Sequence, residues 1–286
     1  MMSNPVPTYT PQRLTYTTEA GLHLVADAWG SRDAPPVLLL HGGGQTRHAW
    51  GGTAHLLAVH GWYAIALDLR GHGESSWAPD GNYTIDTFVA DLRSVVAHFA
   101  QRPVLVGASL GGMTALLAEG EAPQPVSTAV VLVDITPRVE GQGVERIRAF
   151  MTARPDGFAS LEEAADTIAA YLPYRPRPQN VSGLAKNLRQ GTDGRYRWHW
   201  DPLLLNGMPR RRSPDRLLAA ARALRVPTLL VRGTLSEIVS DATQAEFLAA
   251  VPNAHYVDVT GAGHMVAGDQ NDVFSSAIVN FLSEIQ

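Results

Sequence analysis

The segment Gly107-Ala108-Ser109-Leu110-Gly111 holds the residues best suited to covalent chemistry. An apolar run, Pro103-Val104-Leu105-Val106, precedes it, and a helix-like stretch over 112–118 follows. A serine in that context sits on a tight strand-to-helix turn, where glycines let the backbone pass close to its neighbours and the hydroxyl projects above a sheet. The Leu110 N–H then lies at a helix start, where unpaired amides favour a developing oxyanion. A serine hydroxyl is a weak nucleophile at neutral pH, so it needs a base and a group that orients the base. Gly261-Ala262-Gly263-His264-Met265 offers that base, a single imidazole on a glycine-rich turn after the last strand-like run. Among the other histidines, His55 and His60 lack the His-Glu-x-x-His spacing of a metal site, and His41 at a strand end reads as structural.

The elements that must hold these groups alternate. Residues 14–18 and 22–28 read as a hairpin around Glu19-Ala20-Gly21. Short apolar runs at 37–40, 63–67, 129–133, 228–231 and 255–259 read as strands. Helices are expected over 49–60, 84–99, 242–250 and 273–282, and Phe88, Val89, Leu92, Val95, Val96 and Phe99 form the clearest apolar stripe. Such alternation implies a parallel sheet covered on both faces. Between Asp134 and Val226 the alternation stops. Helix-like segments at 144–151 and 161–171 and proline-rich breaks at 173–178 and 202–214 replace it, which reads as an inserted helical lid.

The chain has 286 residues, 45% hydrophobic and 17% charged, as expected of a folded α/β domain. A net charge of −4 gives no footprint for nucleic acid, and Arg210-Arg211-Arg212 reads as a solvated loop. With no cysteine, disulfides, thiolate catalysis and thiolate-ligated metals are excluded, and a cytoplasmic protein is expected. The first eleven residues lack the apolar core of a signal peptide, and no apolar run approaches the roughly 18 residues of a membrane span.

His41-Gly42-Gly43-Gly44, Asp68-x-Arg70-Gly71-x-Gly73-x-Ser75, Gly107-x-Ser109-x-Gly111 and Gly263-His264 occur in the order seen in the α/β-hydrolase superfamily, and the chain resembles that family over nearly its whole length. The resemblance implies a mostly parallel eight-stranded sheet with a helical cap inserted after the sixth strand. Its expected division is a core of residues 1–136 and 223–286 with a cap of 137–222. It implies Ser109 as nucleophile, His264 as base, and an oxyanion hole from the Gly43 and Leu110 amides. It assigns Asp68–Ser75 to a structural turn, with no catalytic role for Arg70 or His72, and it requires no metal or organic cofactor.

The acid is where the chain departs from the family pattern. Most members place an aspartate three residues beyond the glycine ending their seventh strand, and here that position, counted from Gly233, is Ser236, with Glu237 next to it. Asp134, after Val131-Leu132-Val133, resembles the acid of a subgroup of small bacterial esterases. Asp134 is the first expectation, Glu237 the alternative, and Asp241 a distant third. The bland roles are a hinge residue bonding amides for Asp134 and a solvated loop acid for Glu237.

A serine in place of a carboxylate nucleophile argues against epoxide and haloalkane hydrolysis, and points to a small or medium carboxylic ester or a lactone as substrate. Carbon–carbon bond hydrolysis or cofactor-free perhydrolysis by the same triad is an alternative, and a ligand-sensing protein with little turnover is one from another class. Trp77, Tyr171 and Trp198 are candidate pocket residues, and Tyr174, Tyr196 and Trp200 add to the aromatic content of the insertion. Such residues equally form the core of the insertion itself.

Overall fold

The computed structural model describes residues 9–173, 177, 179–207, 213–267, 269 and 271–285; Tyr174 and Arg210–Arg212 lie outside them. The chain opens with the strands β1 (Gln12–Thr17), β2 (His23–Trp29) and β3 (Pro36–Leu40). Helix α1 (Gly51–Val59), strand β4 (Tyr63–Leu67), helix α2 (Ile85–Val96), strand β5 (Val104–Ala108), helix α3 (Leu110–Gly120) and strand β6 (Ala129–Val133) follow. The insertion holds α4 (Gly141–Thr152), α5 (Leu161–Tyr171), the short strands β7 (Leu188–Gln190) and β8 (Tyr196–Trp198), and α6 (Leu204–Gly207). Helix α7 (Pro214–Arg222), strand β9 (Thr228–Gly233), helix α8 (Asp241–Ala250), strand β10 (His255–Val259) and helix α9 (Ser275–Glu284) complete the order.

Eight strands form one sheet in the order β1-β2-β4-β3-β5-β6-β9-β10. The β1–β2 and β2–β4 pairs are antiparallel and every other pair is parallel. The central strands are buried on both faces, which explains why they read as unbroken apolar runs rather than alternating ones. Period-two geometry divides each strand between two cores. Leu38 and Leu40 join Phe88, Leu92, Leu116 and Phe247 on one face, while Val37 and Leu39 join Leu57, Phe274, Ile278 and Leu282 on the other.

Two features differ from the sequence expectation. The insertion is not purely helical, because β7 and β8 pair as an antiparallel ribbon. Helix α7, placed by sequence within the insertion, packs on α3: a methyl added at Gly120 would meet the Ala220 carbonyl oxygen at 2.3 Å. Core packing therefore begins at about residue 213, before the expected boundary at 222.

Backbone bonds stitch the insertion to the sheet domain. The Gly73 N–H donates to His199 O (2.7 Å), the Asp201 N–H donates to Gly71 O (2.8 Å), and the Glu140 N–H donates to Ile238 O (2.9 Å). Thr46 Oγ1 adds a bond to Asn187 Oδ1 (2.8 Å). The turn after β4 has a buried ionic scaffold beneath it. Arg47, 1% exposed, meets Asp27 (2.8 Å), Asp68 (2.5 Å) and Glu74, while Arg70 pairs with Asp91 (2.6 Å). No helix among the described residues is long and apolar enough to cross a membrane.

Candidate active site

Four adjacent strands bring three of the candidate residues, together with Ser236, to one edge of the sheet. Ser109 follows β5, Asp134 follows β6, Ser236 lies just beyond β9, and His264 follows β10. Ser109 has φ 48° and ψ −111°, a conformation that disfavours any residue with a Cβ. The tight turn explains the flanking glycines. A Cβ on Gly107 would lie 2.4 Å from the Gly111 backbone, and one on Gly111 would lie 2.4 Å from the Leu40 carbonyl oxygen. Among the described residues, Asp134 (φ 49°) is the other non-glycine with positive φ. Two strained positions on neighbouring strand ends, each costing roughly 1–3 kcal/mol, are the kind of stress that folded structure tolerates where side chains must be aimed.

The Asp134 carboxylate and the His264 imidazole meet directly. His264 Nδ1 lies 2.7 Å from Asp134 Oδ2, and the two side chains are 5% and 3% exposed. An ionised carboxylate only accepts, so Nδ1 carries the proton and Nε2 is left as the acceptor. Asp134 Oδ1 accepts the Gly233 N–H (3.1 Å), and Oδ2 also accepts the Ser236 hydroxyl (2.8 Å). Glu237 points elsewhere. It accepts a hydrogen bond from the Tyr171 hydroxyl and pairs with Arg146 (2.5 Å), both on the insertion. Asp241 is an exposed partner of Arg232 (2.5 Å).

Ser109 is tied to the same region through its backbone, its N–H donating to Val133 O (3.3 Å), one residue before Asp134. Its hydroxyl makes no hydrogen bond among the described residues, so the contact to His264 Nε2 is not closed here; such contacts commonly tighten only when substrate is bound.

The loop after β3 faces the serine. A Cβ on Gly42 would stand 3.4 Å from Ser109 Cβ. The Gly42 N–H donates to Gln45 Oε1 (2.9 Å), and the Gly44 N–H donates to His72 Nε2 (3.1 Å). Among the described residues neither the Gly43 N–H nor the Leu110 N–H has an acceptor, so these two amides remain available. Gln45 Nε2 also reaches Asn271 Oδ1 (3.1 Å) and the Val266 carbonyl (3.4 Å), linking this loop to the segment that carries His264.

His41 and His72, fully buried, pack edge to face with ring centres 4.8 Å apart. Each donates through Nδ1 to a backbone carbonyl, Gly42 for His41 and Arg70 for His72, and each accepts an amide at Nε2, Leu69 for His41 and Gly44 for His72. Burial pushes them down to about 4 for His41 and about 3 for His72, where the His41 ring adds to the effect. Both must stay neutral to accept those amides. Lowered native values make stability fall with acidity, because the unfolded imidazoles bind protons from about pH 6.5 downward while the native ones do not. Between pH 7 and pH 5 each ring should cost about 2 kcal/mol of stability. Urea unfolding at the two pH values should show this loss, and His72→Gln should remove close to half of it. An unchanged pH dependence in that variant would exclude the neutral-ring account.

The aromatic candidates take distinct places. Trp198 is buried, stacked on Trp200 (5.3 Å, 9°) and edge-on to Phe158 (5.2 Å). Trp200 and Met151 touch the loop after β3, since a Cβ on Gly44 would lie 3.4 Å from the Trp200 ring and 2.9 Å from Met151 Cε. Tyr171 lies against Phe150 (4.7 Å) and holds Glu237, while Trp77 receives the Arg189 guanidinium 4.5 Å above its ring. Sequence reading placed His72 in a structural turn without seeing its bond to the Gly44 amide, and it passed over Gln45, Asn271 and Met151. Only the spacing of His72 within the Asp68–Ser75 motif offered a signal for any of them.

Among the described residues no cluster of three or more His, Asp or Glu side chains is arranged to hold a metal. The arrangement could support transfer of an acyl group to serine, with the imidazole taking the hydroxyl proton and the carboxylate balancing the imidazolium charge. Comparison with known proteins shows the family. The family model for the alpha/beta hydrolase fold matches residues 35–269. The chain is 33% identical over 254 residues to Esterase Rv0045c of Mycobacterium tuberculosis, covering 85% of this chain and 80% of that protein. It is 30% identical over 265 residues to a 3-hydroxybutyrate-oligomer hydrolase of Cupriavidus necator, covering 86% and 88%. The crystal structure of an alpha/beta hydrolase from Novosphingobium aromaticivorans superimposes with a TM-score of 0.80 at 26% identity, covering 96% of this chain and 98% of that one. With its sheet order, its strained serine turn and these relatives, the chain belongs to the α/β-hydrolase family.

Proposed function

We propose that this protein is a serine hydrolase that cleaves small or medium carboxylic esters or lactones through an acyl-serine intermediate. The observation that carries the reading is the 2.7 Å bond between His264 Nδ1 and Asp134, beside a serine held in a strained turn. Ser109 Oγ attacks the ester carbonyl carbon while its proton passes to His264 Nε2, and the resulting imidazolium is balanced by Asp134. Negative charge gathers on the former carbonyl oxygen, where the Gly43 and Leu110 amides receive it. The carbon–oxygen bond to the alcohol then breaks, and His264 returns the proton to the leaving oxygen. Water repeats the sequence on the acyl-serine, giving up a proton to His264 as it attacks and releasing the acid and free Ser109.

The insertion serves in this reading as a cap over the serine. Met151 and Trp200 beside Gly44 present apolar surface to the reacting group, which favours uncharged, apolar acyl chains. Similarity to a relative named as an esterase supports the ester class. Release of p-nitrophenol from p-nitrophenyl acetate and butyrate tests the proposal. Sustained release over many equivalents is expected, whereas one equivalent followed by a stop would mark a ligand-binding protein that acylates without turning over. A panel varying acyl length, alcohol size and lactone ring then places the substrate within the class.

A further inference from the structure

Three donors converge on the Asp134 carboxylate, and only one of them is the histidine. Oδ1 accepts the Gly233 N–H, while Oδ2 accepts both His264 Nδ1 (2.7 Å) and the Ser236 hydroxyl (2.8 Å). Asp134 is 2% exposed, so these protein groups supply its solvation in place of bulk water. Its backbone sits at φ 49°, a conformation that costs energy for a residue with a Cβ.

Ser236 is built to anchor that carboxylate. Its oxygen accepts the Ile238 N–H (3.3 Å) and the Val239 N–H (3.1 Å), which leaves its one proton for Asp134. Two amides donating to a hydroxyl polarise it and strengthen the bond it donates in turn. We propose that Ser236 is a positioning residue for the catalytic acid: its hydroxyl, held by the amides of residues 238 and 239, fixes the Asp134 carboxylate against His264 Nδ1. The inference rests on the assignment of Asp134 as the triad acid. It gives a physical role to the position at which the family resemblance leads one to expect the acid itself, since the side chain there now grips an acid supplied by the neighbouring strand.

The competing role is a plain loop staple, in which Ser236 matters only to the amides it accepts. Removing the hydroxyl has different consequences in the two cases. A carboxylate with one donor fewer is a stronger base, which favours the imidazolium in the free enzyme and moves the acid limb of the kcat/KM profile to higher pH; it is also freer to turn out of line with Nδ1, and that lost aim lowers kcat. A staple would change stability and leave that limb where it was.

The test measures p-nitrophenyl butyrate hydrolysis across pH for Ser236→Ala and Ser236→Thr. For Ser236→Ala the expected result is a kcat about tenfold lower, a KM within about twofold, and an acid limb raised by about half a pH unit. Ser236→Thr, which keeps the hydroxyl, should recover most of the rate and the original limb. A Ser236→Ala enzyme with unchanged kcat and limb overturns the proposal. So does a loss of kcat with an unmoved limb and no recovery in Ser236→Thr. If Ser236→Ala does not fold, Ser236→Cys keeps a similar volume with a weaker donor and is read in the same way. Asp134→Asn in the same assay keeps the two assignments apart. A nearly normal rate there defeats the acid assignment itself, whereas a crippled Asp134→Asn beside a normal Ser236→Ala defeats only the positioning role.

Discussion

Asp134→Asn should yield a folded protein whose kcat on p-nitrophenyl butyrate is lower by about ten-thousand-fold. The size of the effect follows from a tautomer. The Gly233 N–H already points at Oδ1, so an asparagine keeps its carbonyl oxygen there and turns its amide nitrogen toward His264 and Ser236. Nδ1 of His264 then faces a donor and must accept, which moves the ring proton to Nε2, the atom that has to take the proton of Ser109. Ser236 Oγ already accepts the Ile238 and Val239 amides, so its hydroxyl loses its acceptor at this position, a local cost; the Gly233 bond and the His264 contact remain, so the fold should survive. Glu237→Gln is the control. That side chain bridges to Arg146 and Tyr171 rather than to the histidine, and its loss should change kcat by no more than about threefold, with a small fall in Tm. A large rate loss in Glu237→Gln together with a mild one in Asp134→Asn would transfer the acid role to Glu237.

The contrast between those two carboxylates illustrates what local pattern can and cannot specify. Ser109 and His264 were visible because glycines mark turns that few other residues can make, and because the flanking apolar runs identify strands. The central strands were visible for the same reason, since burial on both faces leaves an unbroken apolar stretch. Choosing between Asp134 and Glu237 required knowing which way two loops turn, and that depends on the pairing of β6 with β9 and on Arg146 and Tyr171 of the insertion, which capture Glu237. The β7–β8 ribbon escaped because each strand has three residues, too few for alternation to register. It is held by contacts distant in sequence, including the bridges of Tyr196 to Phe158 and of Trp200 to His72. Helix α7 did carry a local sign, a Ser213-Pro214-Asp215 start in which Ser213 caps the Arg216 N–H, but its proline-rich surroundings read as a break. Gln45 and Asn271 left no trace of their pairing, because buried polar partners in distant loops follow no period.

Ser109→Ala should remove nearly all activity, lowering kcat by about a million-fold, with Tm unchanged or slightly raised. Activity and stability separate here because the Ser109 hydroxyl makes no hydrogen bond among the described residues, so its deletion leaves no partner unsatisfied. Alanine also carries the same Cβ into the same strained turn, at φ 48°, and adds no strain of its own. What remains is an oxyanion pocket of two amides and a histidine acting on water, and such a remnant retains a slow rate above the uncatalysed one. The Ser109→Ala/Asp134→Asn double variant should therefore be scarcely slower than Ser109→Ala alone, since an orienting carboxylate has little left to orient. A fluorophosphonate probe should label the wild-type protein on Ser109, as read by peptide mass, and should fail to label Ser109→Ala. Retention of more than about a tenth of the wild-type rate by Ser109→Ala, or labelling at another residue, would place the reacting nucleophile outside the strained turn and break the link between that turn and catalysis.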